Sequence, residues 1–322
     1  MSTATTVHRT RAPKHSVRRF FRELWINKAL YIMLLPACAF LFCFNYLPLF
    51  GLTIVFKNFD YGLGIFGSPW AEPWYSNFIF LFQNSGTLRA VKNTLITNVM
   101  FIVGGTVSAV ALAIFLNEIG VAWYKRVLQS FTLLPFFISV IVISVFVYQL
   151  LSYDSGMINR ALISLGREPV DWNGTAKYWR WIMLTINVWK NMGYNGVIYL
   201  ATISGIDMGY YEAADIDGAN RWQKILHITV PMLSPTVLTL SLLALGRIMN
   251  SDFGFFYAIV GDNPRLYSTV DVLDTFIYRN LRQLGDISMS GAASFIQAIL
   301  SGIILVTANS FARKLDANAA LF

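Results

Sequence analysis

An all-α membrane protein with about six transmembrane helices is the fold class this sequence predicts, and three observations carry it. Of 322 residues, 56% are hydrophobic and 13% are charged, against roughly a quarter charged in soluble domains, and mean hydropathy is +0.53. Apolar runs of about 20 residues, the length needed to cross a bilayer, recur six times. The third observation is the stretch 210–231, YYEAADIDGANRWQKILHITVP. It is a polar interruption with apolar runs of spanning length on both sides.

The chain opens on a basic arm, residues 1–29, with Arg9, Arg11, Lys14, Arg18, Arg19, Arg22 and Lys28 against the single acid Glu23. The positive-inside rule keeps such a block in the cytoplasm, where it suits an anionic leaflet. Arg18-Arg19-Phe20-Phe21 faintly resembles a twin-arginine signal and Ala37-Cys38-Ala39 a cleavage site. The apolar run continues well past both, so the arm reads as uncleaved and lying on the membrane. The net charge of +8 is not gathered into any nucleic-acid-reading motif.

Six spans come next, at about 30–55, 95–116, 127–150, 181–203, 232–256 and 291–311. They form one six-span domain over 30–311, followed by a tail at 312–322. With the N-terminus inside, loops 117–126 and 204–231 and the tail are cytoplasmic, so both termini share that side. Lys125, Arg126, Arg221, Lys224, Arg313 and Lys314 fit this assignment. The external loops also hold basic residues, so the orientation rests mainly on the N-terminal arm. Of these loops, 56–94 contains KNFDYGLGIFGSPWAEPWY, an ordered, aromatic-anchored loop. Pro135 in span three and Gly104-Gly105 in span two are tolerated helix irregularities. Gly156 and Asn159 shape a loop, and Gly205 ends span four.

Chemistry-bearing clusters are scarce. Cys38 and Cys43 point about 140° apart on a helix, which disfavours a mutual disulfide. His8, His15 and His227 have no metal-ligand spacing. No GxxxxGK[ST] phosphate loop occurs, so this chain is expected to hold no cofactor and to hydrolyse no ATP itself.

The 210–231 stretch reads as two short helices. Glu212-Ala213-Ala214 open a good helix former, Gly218 supplies a permissive break, and Asn220 caps the second helix. Pro231 stands at the entrance of the next apolar run, where a missing N–H costs least. A half-apolar hairpin at a membrane surface suits docking into a groove of another protein.

Glu212-Ala213-Ala214, three residues, Gly218, nine residues, Ile228, one residue, then Val230-Pro231 resembles the signature of permease subunits of binding-protein-dependent ABC importers. Val230 stands where the family usually has Leu. The text IDMGYYEAADIDGANRWQ is similar to the carbohydrate-importing branch, and the 56–94 loop to its polysaccharide-uptake subgroup. This resemblance implies a type I ABC importer permease fold in the bacterial inner membrane, with 204–231 as the cytoplasmic coupling hairpin. It implies three kinds of partner: a second homologous permease, two ABC ATPase subunits that bind ATP and magnesium, and a periplasmic solute-binding protein. Glu212 would contact the ATPase, Ala213 and Ala214 would allow close approach, and Gly218 the bend.

A polar path is expected through the spans. Asn187, Lys190, Asn191 and Tyr194 share one face of span four, and Arg247 and Asn250 lie in span five. Lys190 would sit about 13 Å below the outer face, with Arg247 at a comparable depth. An intramembrane cation costs about 2.5–3.5 kcal/mol or more, so it faces a cavity or a partner. Amides and aromatics suit sugars; Lys190 and Arg247 would suit their carboxylates, as in an acidic saccharide such as alginate. The plainer alternative is outward snorkelling or pairing of Arg247 with Asp252 or with the second subunit. A membrane-embedded enzyme would need paired acids, an activated nucleophile or metal ligands within the spans, and none is evident. A stand-alone secondary transporter or channel fits six spans and buried cations, but leaves the docking hairpin without a purpose.

Overall fold

The computed structural model describes residues 25–315, so the basic arm up to residue 24 and the tail from residue 316 lie outside the described residues. The chain divides into two units, Met1–Thr53 and Ile54–Phe322. The first holds α1 (Lys28–Leu41), continued by a π-turn at Phe42–Tyr46 and a 3₁₀ stretch from Leu47. Its side chains are exposed on every face, Leu35 and Phe44 among them, as expected of a helix solvated by lipid.

The second unit is also helical: α2 (Ser76–Gln83), α3 (Ser85–Asn117), α4 (Ala122–Phe137), α5 (Val140–Leu151), α6 (Met157–Ser164), α7 (Trp179–Ser204), α8 (Met208–Ile216), α9 (Arg221–Leu245), α10 (Phe253–Val260), α11 (Leu273–Leu284) and α12 (Ile287–Leu315). Among the described residues four helices are long and apolar enough to cross a membrane: Lys28–Phe56, α3, α9 and α12. Together α4 and α5 would make a fifth, bent by 94°. At 26 residues α7 has spanning length, but Asn187, Lys190, Asn191 and Asn195 lower its apolarity.

Two expected spans and one expected short helix are therefore corrected. Span 127–150 is not one rod: the helix stops at Phe137 and restarts at Val140 in a new direction. Span 232–256 ends at Leu245, and Gly246–Asp252 form a turn before α10. The second short helix of the hairpin does not stand apart, because α9 runs unbroken from Arg221 to Leu245. A π-turn at Ile225–Thr229 precedes Pro231, with the Val230 N–H reaching back to Ile225 O. This widened turn lets the helix accept a proline that would otherwise clash with the preceding turn.

Packing fixes the directions of the helices. Ala109, Ala113 and Leu116 of α3 pack on Tyr199, Leu200 and Ile203 of α7 and Leu233 of α9. At the other end, Met183 of α7 packs with Ile143 of α5 and Phe255 of α10, and Ala90 of α3 with Ile248 and Leu273. So α3 and α7 run parallel, and α9 runs against them. The loop before α8 leaves from one end, and the segment 246–286 covers the other. Asn159, 1% exposed, shapes loop 151–180 by donating to Tyr153 O and Val170 O and accepting from Trp172 Nε1.

Candidate functional site: a capped hairpin and a polar path

The hairpin is built by local capping. The Asp207 side chain accepts from Gly209 N–H at 2.9 Å and starts α8. Its end is a Schellman motif: Ala219 N–H reaches Ala214 O at 2.9 Å, and Gly218 N–H reaches Asp215 O at 3.1 Å. Gly218 sits at φ +73°, a conformation that costs a side-chain-bearing residue about 1–2 kcal/mol. Asn220 and Gln223 then form a capping box, at 2.7 and 3.0 Å, that starts α9. Two cross-links tie α8 to the base of α9: Lys224 Nζ to Asp215 at 2.7 Å and Tyr211 Oη with Thr229 Oγ1 at 2.9 Å.

Of the motif residues, Ala214, Gly218 and Ile228 line one cleft of about 320 Å³. Glu212, Ala213 and Pro231 are exposed beside it. Large apolar side chains are exposed on the same hairpin, Ile216 at 87% and Trp222 at 73%. A short, doubly capped, cross-linked element with uncovered apolar side chains has the form of a rigid docking knob.

In the expected path, Lys190 is engaged. Its ammonium donates to Phe136 O at 2.9 Å and Ile138 O at 3.3 Å, at the break between α4 and α5, and lies 5.4 Å from the Phe136 ring centroid. One turn on, Tyr194 stacks on the same ring, centroids 4.4 Å apart. Asn191 turns back to Asn187 O at 3.0 Å. Arg247 and Asn250 occupy the turn after α9 rather than a helix, and both are exposed. The Arg247 guanidinium forms no ion pair among the described residues, and Asp252 instead caps α10 through Phe255 N–H.

Three residues not expected from the sequence hold that turn. Asn98 of α3 donates to Ile248 O at 2.7 Å, and Gln297 of α12 to Met249 O at 2.8 Å. The Asp274 carboxylate accepts from Ser251 N–H at 2.7 Å. Burial pushes the Asp274 carboxyl pKa up, and hydrogen bonds from Ser251 N–H and from Gln297 Nε2, the latter at 3.1 Å, pull it partly back. Asn98 and Gln297 are polar residues inside apolar runs, the same signal that draws attention to Lys190. Irregular backbone within a bilayer is tolerated where protein groups satisfy it, and broken spans are where transporters hold solutes.

The family described as binding-protein-dependent transport system inner membrane component matches residues 105–318. Protein LplB of Bacillus subtilis (strain 168) is 30% identical over 290 residues, covering 90% of each chain. The polygalacturonan/rhamnogalacturonan transport system permease protein YteP of the same organism is 30% identical over 301 residues, covering 94% of this chain and 92% of the relative. A chain in the crystal structure of a bacterial ABC transporter for import of the acidic polysaccharide alginate superposes with a TM-score of 0.83 at 33% identity, covering 92% of this chain and 99% of that one. A second such structure, in complex with an alginate pentasaccharide-bound periplasmic protein, gives 0.82 at 32% identity, covering 92% and 98%.

Proposed function

The chain belongs to the family of binding-protein-dependent transport system inner membrane components, and from that premise we propose that it is the permease subunit of an ATP-driven ABC importer for acidic oligo- or polysaccharide. It is a transport subunit and not an enzyme. Two ABC ATPases bind ATP and magnesium below it, a second homologous permease pairs with it, and a periplasmic binding protein delivers the solute. Both termini and the 204–231 hairpin face the cytoplasm.

The observation that carries this reading is the hairpin, with its Schellman turn at Gly218 and its cross-links to α9. Closure of an ATPase dimer pushes such an element as a unit, because α8 is fixed to the base of a spanning helix. The same helix ends in the Gly246–Asp252 turn at its far end, so a tilt of α9 displaces Arg247. Exposure of one solute path to each side in turn is the consequence of that lever. The acidic substrate class is supported by the uncompensated Arg247 and by what two of the similar proteins are said to import.

The test is affinity purification of the tagged chain from its native membrane, with identification of co-purifying chains and an ATPase assay. Recovery of an ATPase and a second permease, with activity raised by a loaded binding protein, is the expected result. A stable chain recovered alone, transporting without ATP, would return the reading to a stand-alone transporter.

A further inference from the structure

A second polar cluster lies at the end of the bundle away from the hairpin, between α10 and α11. Its floor is a built ion network. The fully buried Asp271 carboxylate receives both arms of Arg279, at 3.1 and 2.8 Å, and Thr275 Oγ1 at 3.1 Å. Arg89 of α3 adds a second cation at 3.6 Å. The Arg279 guanidinium is sandwiched over the Tyr267 ring, 4.1 Å from its centroid, and reaches Asp262 at 3.7 Å. The Tyr267 phenol donates to Asp262. Burial, with that hydrogen bond second, pushes its pKa up to about 12 and keeps it a neutral donor.

Above this floor is a cleft of about 290 Å³, near the lower end of small-molecule sites. One wall is aromatic. Tyr278 lies against Phe253, centroids 4.6 Å apart, and edge-on to Tyr257 at 5.3 Å. The rim is polar: Asp262 accepts from Gln283 Nε2 at 3.2 Å, and Arg282 donates to Tyr278 Oη at 3.0 Å. Arg282 is exposed and forms no ion pair among the described residues. Two carboxylates, Asp262 and Asp271, thus stand against three arginines, Arg89, Arg279 and Arg282. The surplus cation is the one at the rim.

Each part matches one feature of an acidic sugar. The C–H face of a pyranose packs on aromatic rings. A carboxylate takes the two-pronged donor geometry of a guanidinium. Asp262 and Gln283 offer an acceptor and a donor to ring hydroxyls. The floor network leaves little to reorganise on binding, since Arg279 is already locked. Phe253 begins the helix after the Gly246–Asp252 turn, so the cleft adjoins the segment that carries Arg247.

We propose that this cleft is an extracytoplasmic holding site for one uronic-acid residue of the incoming saccharide, occupied before the chain enters the path through the spans. It rests on the importer reading above, and names a site and ligand class that reading does not.

The test uses the complete importer in nanodiscs, without nucleotide or binding protein, titrated with trigalacturonate and with its carboxyl-reduced neutral counterpart. Wild type binds the acidic trisaccharide at least about tenfold more tightly than the neutral one. Arg282→Gln abolishes that preference while the neutral affinity stays within about twofold, and Tyr278→Leu weakens both about tenfold. Saturation-transfer NMR shows the sugar ring protons in closer contact with protein in wild type than in Tyr278→Leu. Unchanged binding in Arg282→Gln, or equal loss for both sugars, overturns the proposal. So does an Arg282→Gln defect seen only in a parallel ATPase assay, with nucleotide and binding protein added, as weaker stimulation by that protein, which would make the cleft a protein-docking face. A wild-type complex without saccharide-dependent ATPase would instead overturn the importer reading, and the nanodisc titration would still judge the cleft.

Discussion

The ammonium of Lys190 lies 2.9 Å from the carbonyl oxygen of Phe136, at the end of α4, where the chain bends 94° into α5. A break in a spanning helix strips carbonyls of their helical partners, and hydrocarbon offers no replacement. Lys190 serves two of them, at Phe136 and Ile138. A cation that the sequence places in a span and offers as a solute ligand thus makes backbone-capping hydrogen bonds. Lys190→Met should destabilise the solubilised protein by about 1–3 kcal/mol per orphaned carbonyl, read as a lower thermal midpoint. Uptake should fall alike for acidic and neutral saccharides; loss confined to the acidic one would show that Lys190 reads substrate charge.

Close to that cap, α7 and α4 touch backbone to backbone. A β-carbon added at Gly193 would stand 1.9 Å from Thr132 O, a distance no rotamer change relieves. Gly193→Ala should therefore push the two helices apart and cost about 1–3 kcal/mol, the range for overpacked cores. Gly105 on α3 is the matched control, because a β-carbon there meets nothing within 4 Å. Gly105→Ala should be neutral or stabilise by up to about 1 kcal/mol through helix propensity. Comparing the two thermal midpoints separates steric from conformational effects.

Legibility in the chain tracks how local each signal is. Gly218 and Asn220 specify their turn through hydrogen bonds spanning at most five residues, so the hairpin is legible. The apolar runs behind α1, α3 and α12 are equally plain. The bend after Phe137 is not, because VIVISVFVYQLL continues the apolar run unchanged, and the groups that stabilise the bend come from Lys190, more than fifty residues on. The Gly246–Asp252 turn is set by Asn98, Asp274 and Gln297, from three other helices. Such pairings are tertiary and leave no periodicity. Pro231 reads as a helix entrance because a π-turn that absorbs a proline has no sequence signature of its own.

The coupling role makes its own prediction at Gly218. No atom lies within 4 Å of a β-carbon built there, so any effect of substitution comes from backbone conformation rather than a clash. Gly218→Asn should be tolerated, since Asn visits the left-handed region more readily. Gly218→Val should break the Schellman turn, with a local cost of roughly 1–3 kcal/mol. Membrane insertion should persist while ATP-driven uptake is lost, measured in proteoliposomes against basal ATPase. Normal uptake in the valine variant would count against the lever.

The proposed charge recognition turns on Arg247. Its neighbours in the turn are held by Asn98, Gln297 and Asp274, while its own side chain is exposed without an ion-pair partner among the described residues. Removing it should therefore leave the fold intact, unlike removal of Lys190. A charge-assisted hydrogen bond contributes about 1.5–3 kcal/mol, equivalent to roughly 10- to 100-fold in affinity. Arg247→Ala should reduce uptake of an acidic oligosaccharide by that order and leave uptake of a neutral one nearly unchanged, at an unaltered thermal midpoint. Because a lysine keeps the charge but loses the planar two-pronged donor, Arg247→Lys should restore only part of the preference. Equal loss for both sugars would mean that Arg247 serves the motion of the turn and not the recognition of carboxylates.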